Sequence, residues 1–273
     1  MTRLTRLHRP FLKWAGGKFR LLPRILATLP EGNRFIEPFV GSGALFLNTD
    51  YERYLLADNN PDLINLYQTL TREGGEFIDY ASRLFNADNN QEAAYYRLRE
   101  RFNALESGRE KSALFLYLNR HGYNGLCRYN LKGIFNVPYG RYKKPYFPAD
   151  EMAHFARKAR RATFACLDFN TTLARARRHN VVYCDPPYVP WSITANFTSY
   201  SQKAFSLDMQ TRLAVQAQRL AERGVPVIIS NHDTPFTREI YRNARLQAFR
   251  VQRFISCNGQ SRDQAGELLA AFL

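Results

Sequence analysis

Apolar positions along this chain follow two rhythms. Near both ends, short β-rich runs alternate with stretches of helical spacing, while from about residue 73 to 161 the spacing is mainly helical with one hairpin-like interruption. The short runs predict strands at 34–37, 54–57, 162–167, 181–184, 225–230, 246–255 and 267–272. Helices are predicted at 21–29, 43–48, 61–71, 207–223 and 235–244. Asn60-Pro61 has the form of a helix cap followed by proline at the first helical position. Strands alternating with helices argue for a mostly parallel α/β sheet. A polar stretch at 257–265 joins the last two strands, which suits an antiparallel hairpin at the sheet edge. There is no internal repeat and no linker rich in Gly and Ser. The expected organisation is one α/β domain, 1–72 with 162–273, interrupted by a mainly helical domain at 73–161.

Charge changes the picture most. The 273 residues hold 39 Lys and Arg against 24 Asp and Glu, a formal net charge of +15. Such an excess points to a polyanionic partner, nucleic acid before membrane. Many of the cations fall in the middle segment, among them Arg97, Arg99, Arg101, Arg120, Arg128, Lys132, Arg141, Lys143 and Lys144. Tyr117, Tyr123, Tyr129, Tyr139, Tyr142 and Tyr146 are interleaved with them, as in a nucleic-acid surface rather than a merely solvated face. No apolar run is long enough to span a bilayer. The basic opening MTRLTRLHRP lacks the apolar core of a secretory signal, so a cytoplasmic protein is the default. The four cysteines and five histidines are dispersed without metal or redox spacing, so no metal site is expected and the thiols read as reduced.

Candidate chemistry sits where predicted strands end. The apolar run ending at Cys184 leads into Asp185-Pro186-Pro187-Tyr188. Two prolines can neither continue a helix nor donate to a ladder, so the chain leaves the strand as a stiff loop. That loop offers a carboxylate, backbone carbonyls and an aromatic face, the parts needed to hold a flat heterocycle with an amino group. Ligands of open α/β sheets gather at such carboxyl ends. A second turn, Glu37-Pro38-Phe39-Val40-Gly41-Ser42-Gly43, reads as strand, Gly-rich turn and helix start. Phe46 stands where the dinucleotide fingerprint would place its third glycine, which disfavours a nicotinamide enzyme. Asp58, at the end of the next strand, either accepts the hydroxyls of a ribose or caps the helix near Pro61. The loop Phe11 to Lys18 contains Gly16-Gly17-Lys18, but Phe19 breaks the phosphate-loop spacing, so an ATPase reading is poor. Trp14 in that loop looks like part of a ligand rim.

Together these motifs resemble the DNA adenine methyltransferase family, which methylates adenine in GATC. The matching segments are FLKWAGGK from Phe11, EPFVGSG from Glu37, LADNN from Leu56, LYLNRHGYNGLCRYN, FNVPYGRYKKPYF from Phe135, VYCDPPY from Val182, TANFTSY from Thr194 and ISNHD from Ile229. They cover nearly the whole chain. The resemblance implies a Rossmann-like seven-stranded methyltransferase sheet with an inserted mainly helical recognition domain carrying a β-hairpin. It implies S-adenosylmethionine as cofactor and double-stranded DNA as partner, in an enzyme that is monomeric in solution. By resemblance Trp14, Lys18, Glu37, Phe39, Gly41, Asp58 and Asp185 are cofactor-binding. Asp185, Pro186, Pro187 and Tyr188 are the catalytic motif, and Cys184 is a packed strand residue. Lys13, Tyr123, Asn124, Leu126, Arg128 and Pro138 are expected at the bases, and Arg99, Arg120 and Asn130 at the DNA backbone. For Arg128 a bidentate pair with guanine stands beside a plain phosphate contact. Two departures are visible: His121 stands where an aromatic ring is common, and 257–265 is less basic than in the family. Two other readings are a methyltransferase for RNA or a protein glutamine, and a DNA-binding relative without activity; the basic hairpin weighs against the first and the intact motifs against the second.

Overall fold

The computed structural model of the chain describes residues 7–190, 205–252 and 264–273. Strands β1 (Arg34–Glu37), β2 (Arg53–Asp58), β3 (Ala162–Cys166), β4 (Asn180–Cys184), β5 (Val227–His232), β6 (Arg245–Gln252) and β7 (Gln264–Phe272) form a seven-stranded sheet of order β3-β2-β1-β4-β5-β7-β6. β1 pairs with β4, β2 with β3 and β4 with β5 in parallel. β7 runs antiparallel to both β5 and β6, the expected edge hairpin. Its connection at 257–263, with Cys257, lies outside the described residues, as does the TANFTSY segment.

The helices are α1 (Leu22–Thr28), α2 (Ala44–Asn48), α3 (Pro61–Glu73), α4 (Gly75–Ser82), α5 (Glu92–Ala104), α6 (Arg109–His121), α7 (Ala149–Ala159), α8 (Phe169–Leu173), α9 (Leu207–Glu222) and α10 (Pro235–Ile240). α3 starts as its sequence dictates. The Asn60 side chain accepts from the amides of Asp62 and Leu63, Pro61 has no N–H that needs an acceptor, and Gly74 at φ 55° ends the helix. Asn60 is therefore the cap, and the capping alternative for Asp58 is corrected. β5 begins at Val227 rather than 225, because Pro226 can accept from the Val182 amide but has no N–H to give. The helix expected to reach 244 stops at Ile240, and the chain turns back where the Ala244 amide meets the Tyr241 carbonyl. α8, five residues capped by Asp168, is too short to show a helical period.

The chain forms two compact units. The first, Met1–Leu26 with Val40–Cys166, contains β2, β3 and the helices α2 to α7. Its core is aromatic: Tyr67 stacks on Phe155 at 4.7 Å, and Phe46 meets Tyr54 edge-on at 5.0 Å. Such pairs add about 0.5–1.5 kcal/mol each beyond their burial. Every residue of α6 from Ser112 to His121 is buried, which makes it the spine of the helical segment. The second unit, Ala27–Phe39 with Leu167–Leu273, contains β1 and β4 to β7. All of β4 is buried, the continuous apolar run of a strand covered on both faces.

Candidate active site and recognition surface

In the second unit the chain leaves β4 at Asp185, and the loop that follows is fastened at several points. The Tyr183 hydroxyl donates to Ser230 Oγ at 2.9 Å, and Ser230 Oγ donates to Asp185 Oδ1 at 2.9 Å. Pro187 O accepts from Gln210 Nε2 at 2.7 Å. The Val189 amide donates to Asn231 Oδ1 at 3.0 Å, and Val189 O meets His232 Nδ1 at 2.7 Å. Asn231 is itself fully buried and donates to Gln210 Oε1 and the Tyr241 hydroxyl. Thus α9 and β5 grip both sides of the prolines. The Tyr188 hydroxyl donates to Glu267 Oε2 at 3.3 Å, and its ring stands edge-on to His232 at 4.8 Å. Burial, then the nearby Asp185, push the phenols of Tyr183 and Tyr188 well above their ordinary range, so both stay protonated donors. Cys184 is fully buried, and burial drives its thiol far above the range of a nucleophile. Glu37 ends β1 at 3 % exposure, and Phe39 stacks on Phe169.

In the first unit a carboxylate and a glycine turn hold each other. The Gly41 amide donates to Asp58 Oδ2 at 3.1 Å, and Gly41 O accepts from the Tyr67 hydroxyl at 2.6 Å. Gly41 has φ +46°, and a Cβ there would lie 2.8 Å from Trp14 Nε1, so only glycine fits beneath the indole. The Asn60 amide donates to Asp58 Oδ1 at 3.0 Å. Burial raises the Asp58 pKa, and the amides of Asn60, Gly41 and Asn59 pull it back. A carboxylate has about four acceptor sites, so these bonds leave it able to take a hydroxyl. Lys18, 7 % exposed, donates to Gly16 O at 2.7 Å. A side-chain-free turn, an indole and a strand-end carboxylate fit a nucleoside-containing cofactor.

The hairpin expected in the middle segment is built on two antiparallel bridges, Gly122 with Tyr139 and Tyr129 with Phe135. Asn130 Oδ1 accepts from the amides of Lys132 and Ile134 and so shapes the tip. Arg128 is exposed, with Nε donating to Asn136 Oδ1 at 2.8 Å and Nη2 to Asn136 O at 3.1 Å, which presents the guanidinium in a set plane. Tyr123 is 51 % exposed, and Asn124 and Pro138 are exposed beside it, with Leu126 half-buried. Lys13 belongs to the same surface of this unit. Its ammonium lies 4.0 Å from the Tyr142 ring centre, and burial together with Arg120 lowers its pKa. Arg99 donates to Val137 O at 3.0 Å, whereas Arg120 is 9 % exposed and lies over the Tyr146 ring. Among the described residues Arg120 Nε has no hydrogen-bond partner.

Several residues with structural control over these groups carried no role in the sequence reading. Asn119, 2 % exposed, accepts from the Lys13 amide and donates to the carbonyls of Lys13 and Gly125. Tyr142 takes the Asn124 amide on its hydroxyl, and Asn136 aims Arg128. Ser230, Asn231 and His232 lay inside a matched segment, and only the contacts disclose what they do. His121, the departure noted above, is buried and stacks on Tyr117 at 3.9 Å, so it packs as a flat ring.

Among the described residues no helix is long and apolar enough to cross a membrane, and no cluster of His, Cys, Asp and Glu is arranged for a metal. The family model for the D12 class N6 adenine-specific DNA methyltransferases matches residues 14–255. A DNA adenine methylase of Vibrio cholerae is 54 % identical over 265 residues, 97 % of this chain and 96 % of that protein. The DNA adenine methylase of Escherichia coli K12 is 53 % identical over 97 % of this chain and 95 % of its own length. That of Serratia marcescens is 52 % identical over 97 % of this chain and 98 % of its own. A solved precorrin 8W decarboxylase from Methanobacterium thermoautotrophicum overlaps 97 % of this chain and 94 % of its own at a TM-score of 0.38 and 10 % identity, too distant to inform the site. The chain belongs to the D12 class of N6 adenine-specific DNA methyltransferases, enzymes that methylate adenine in DNA.

Proposed function

We propose that this enzyme uses S-adenosylmethionine to methylate the exocyclic amino nitrogen of an adenine flipped out of duplex DNA, within the sequence GATC. The observation that carries the reading is the braced loop after β4, which holds Asp185 through Ser230 and Tyr183 and fixes the backbone of Pro187 and Val189. The amino group of adenine is conjugated with its ring and is a poor nucleophile. Asp185 and the carbonyl of Pro186 accept its two hydrogens, which draws the nitrogen toward a tetrahedral shape and frees its lone pair. The cofactor supplies a methyl group on a positively charged sulfur. Asp185 orients the amine rather than acting as a strong base, because the methylated ammonium is itself very acidic. No nucleophilic thiol enters, in keeping with the high pKa of Cys184. Tyr188 stacks on the extruded base, and holding amine and methyl in line supplies much of the acceleration.

Within this reading Asp58 takes the ribose hydroxyls of the cofactor, Gly41 lets it approach the backbone, and Trp14, Lys18, Glu37 and Phe39 complete its contacts. Residues 73–161 form the target-recognition domain, and 1–72 with 162–273 the catalytic domain of a monomeric enzyme. Arg128 pairs with a guanine, Leu126 and Pro138 meet a thymine methyl, and Tyr123 fills the gap left by the flipped base. Lys13 and Asn124 join them at the bases. Arg99, Arg120 and Asn130 are assigned to the DNA backbone, Arg120 with the least exposure of the three. The test is transfer of labelled methyl from S-adenosylmethionine to duplexes carrying GATC and each of its single-base variants. Transfer confined to GATC is expected. Equal transfer to all duplexes would overturn the sequence assignment, and no transfer would overturn the cofactor and the target together.

A further inference from the structure

Two hydrogen bonds strap the hairpin strand that carries Arg128 to the first turn of α3. Side chains along an extended strand alternate in direction, and here Arg128 is exposed while Cys127 and Tyr129 on either side are drawn inward. Cys127 Sγ accepts from Asn60 Nδ2 at 3.3 Å, and the Tyr129 hydroxyl donates to Asp62 Oδ2 at 2.7 Å. Burial pushes the Cys127 thiol up to about 12, so it remains a neutral acceptor. Asp62 is 8 % exposed, and its other oxygen pairs with Lys111 Nζ at 3.2 Å, which pins the strap from α6. The far end of the strap is the carboxylate assigned to the cofactor. The Asn60 amide donates to Asp58 Oδ1, and the side chain of the same Asn60 caps α3 while reaching Cys127. One residue thus touches both the hairpin and Asp58. Residues 127 and 129 thus lie one contact from the turn that anchors Asp58, whose other anchor is the Gly41 amide.

We infer that Asn60 and Asp62 are positioning residues that couple the two binding events: seating Arg128 on its base pair settles Asp58 in the orientation that holds the cofactor, so cognate DNA tightens cofactor binding. This rests on the roles proposed above for Arg128 and Asp58. Reciprocity then requires the cofactor to tighten cognate DNA by the same factor. A strap that only stabilised the fold would leave that factor untouched when cut.

The experiment measures the affinity of the full-length enzyme for S-adenosylhomocysteine by calorimetry, alone, with a GATC duplex, and with a duplex changed at the base pair read by Arg128. For the wild type an enhancement on the order of tenfold is expected with GATC and little with the changed duplex. Cys127→Ala with Tyr129→Phe removes both bonds from the hairpin side and leaves the Asp58 loop intact. The enhancement should fall to within about twofold of unity, while the affinity without DNA changes far less. Cys127→Ser restores an acceptor to Asn60 and should recover part of the enhancement. If the double variant does not fold, Tyr129→Phe alone, which keeps the ring, should lose part of it. A folded variant lacking both bonds that keeps the full enhancement overturns the inference. So does a wild type that methylates GATC yet binds S-adenosylhomocysteine equally well with and without it. A wild type that does not methylate GATC overturns the function proposed above instead.

Discussion

The loop after β4 at 185–189 and the hairpin at 122–139 are built on opposite plans. The loop is short, and its backbone is gripped by Gln210, Asn231 and His232, with Asn231 fully buried. The hairpin has two isolated bridges, a tip whose Leu131 is 74 % exposed, and an arginine aimed by one asparagine. Orienting an amine for methyl transfer gains from immobility, since misplacement is felt directly in rate. Reading a duplex needs side chains that meet bases at the surface and adjust to them. The prediction is a division of effects: damage to the loop appears in rate on every site, and damage to the hairpin appears as a change between sites.

The largest effect is expected from Asp185→Ala, which should lower methyl transfer about a hundredfold or more, since an oriented group aimed at the reacting atom is lost. Single-turnover kinetics on saturating GATC duplex, with the melting temperature as a check on folding, decide the point. Near-normal turnover in a folded protein would break the comparison on the loop side.

Behind the hairpin, His121 sets a pH limit. Burial holds its folded pKa down at about 4, against 6.5 in its unperturbed state. Between those values the unfolded chain binds a proton that the folded one refuses, so stability present above pH 6.5 is lost as the pH falls toward 4. The total is roughly 3 kcal/mol. Urea titrations across that range should show the slope for the wild type and its reduction in His121→Phe, which keeps a ring in the stack. An unchanged slope would mean that His121 is not the group responsible.

Arg128→Ala should cost roughly 1–3 kcal/mol of discrimination at one base pair. Arg99→Ala should instead weaken all duplexes alike and flatten the salt dependence by about one charge. Methylation of GATC and its variants across a salt series separates the two. Uniform loss on every duplex for Arg128→Ala would make its guanidinium a phosphate contact. The smallest effect belongs to Ser230→Ala. It removes one charge-assisted hydrogen bond to Asp185 and leaves the carboxylate in place, so turnover should drop by roughly tenfold, with site preference unchanged. An altered site preference would breach the division between the two regions.

Much of this molecule was legible in the chain. Strand runs that alternate with helical spacing are statements about local periodicity, and all seven strands stand near their expected places. Asp185-Pro186-Pro187-Tyr188 was legible because proline constrains the backbone wherever it stands. Asp58 shows the limit: an acid after a strand and before a helix has two uses, and only the place of the Asn60 side chain removed the capping one. Asn119, Ser230 and Asn136 lay inside matched segments, but nothing in the sequence gave them a role. A single polar residue has no period, and its partner is set by topology, as in the contact of Asn119 with Lys13 at a separation of 106 residues.

That last contact bears on any attempt to transplant the hairpin. A Cβ on Gly125 would lie 2.3 Å from Lys13 Cβ, and Asn119 bonds to the backbone of both Lys13 and Gly125. The turn that leads into the hairpin and the loop at the start of the chain are moulded to each other. A hairpin cut from a relative and spliced into this chain between residues 122 and 139 would arrive without its mould. The smallest transplantable piece is discontinuous: the hairpin, the end of α6 with Asn119, and the loop that carries Lys13 must travel together.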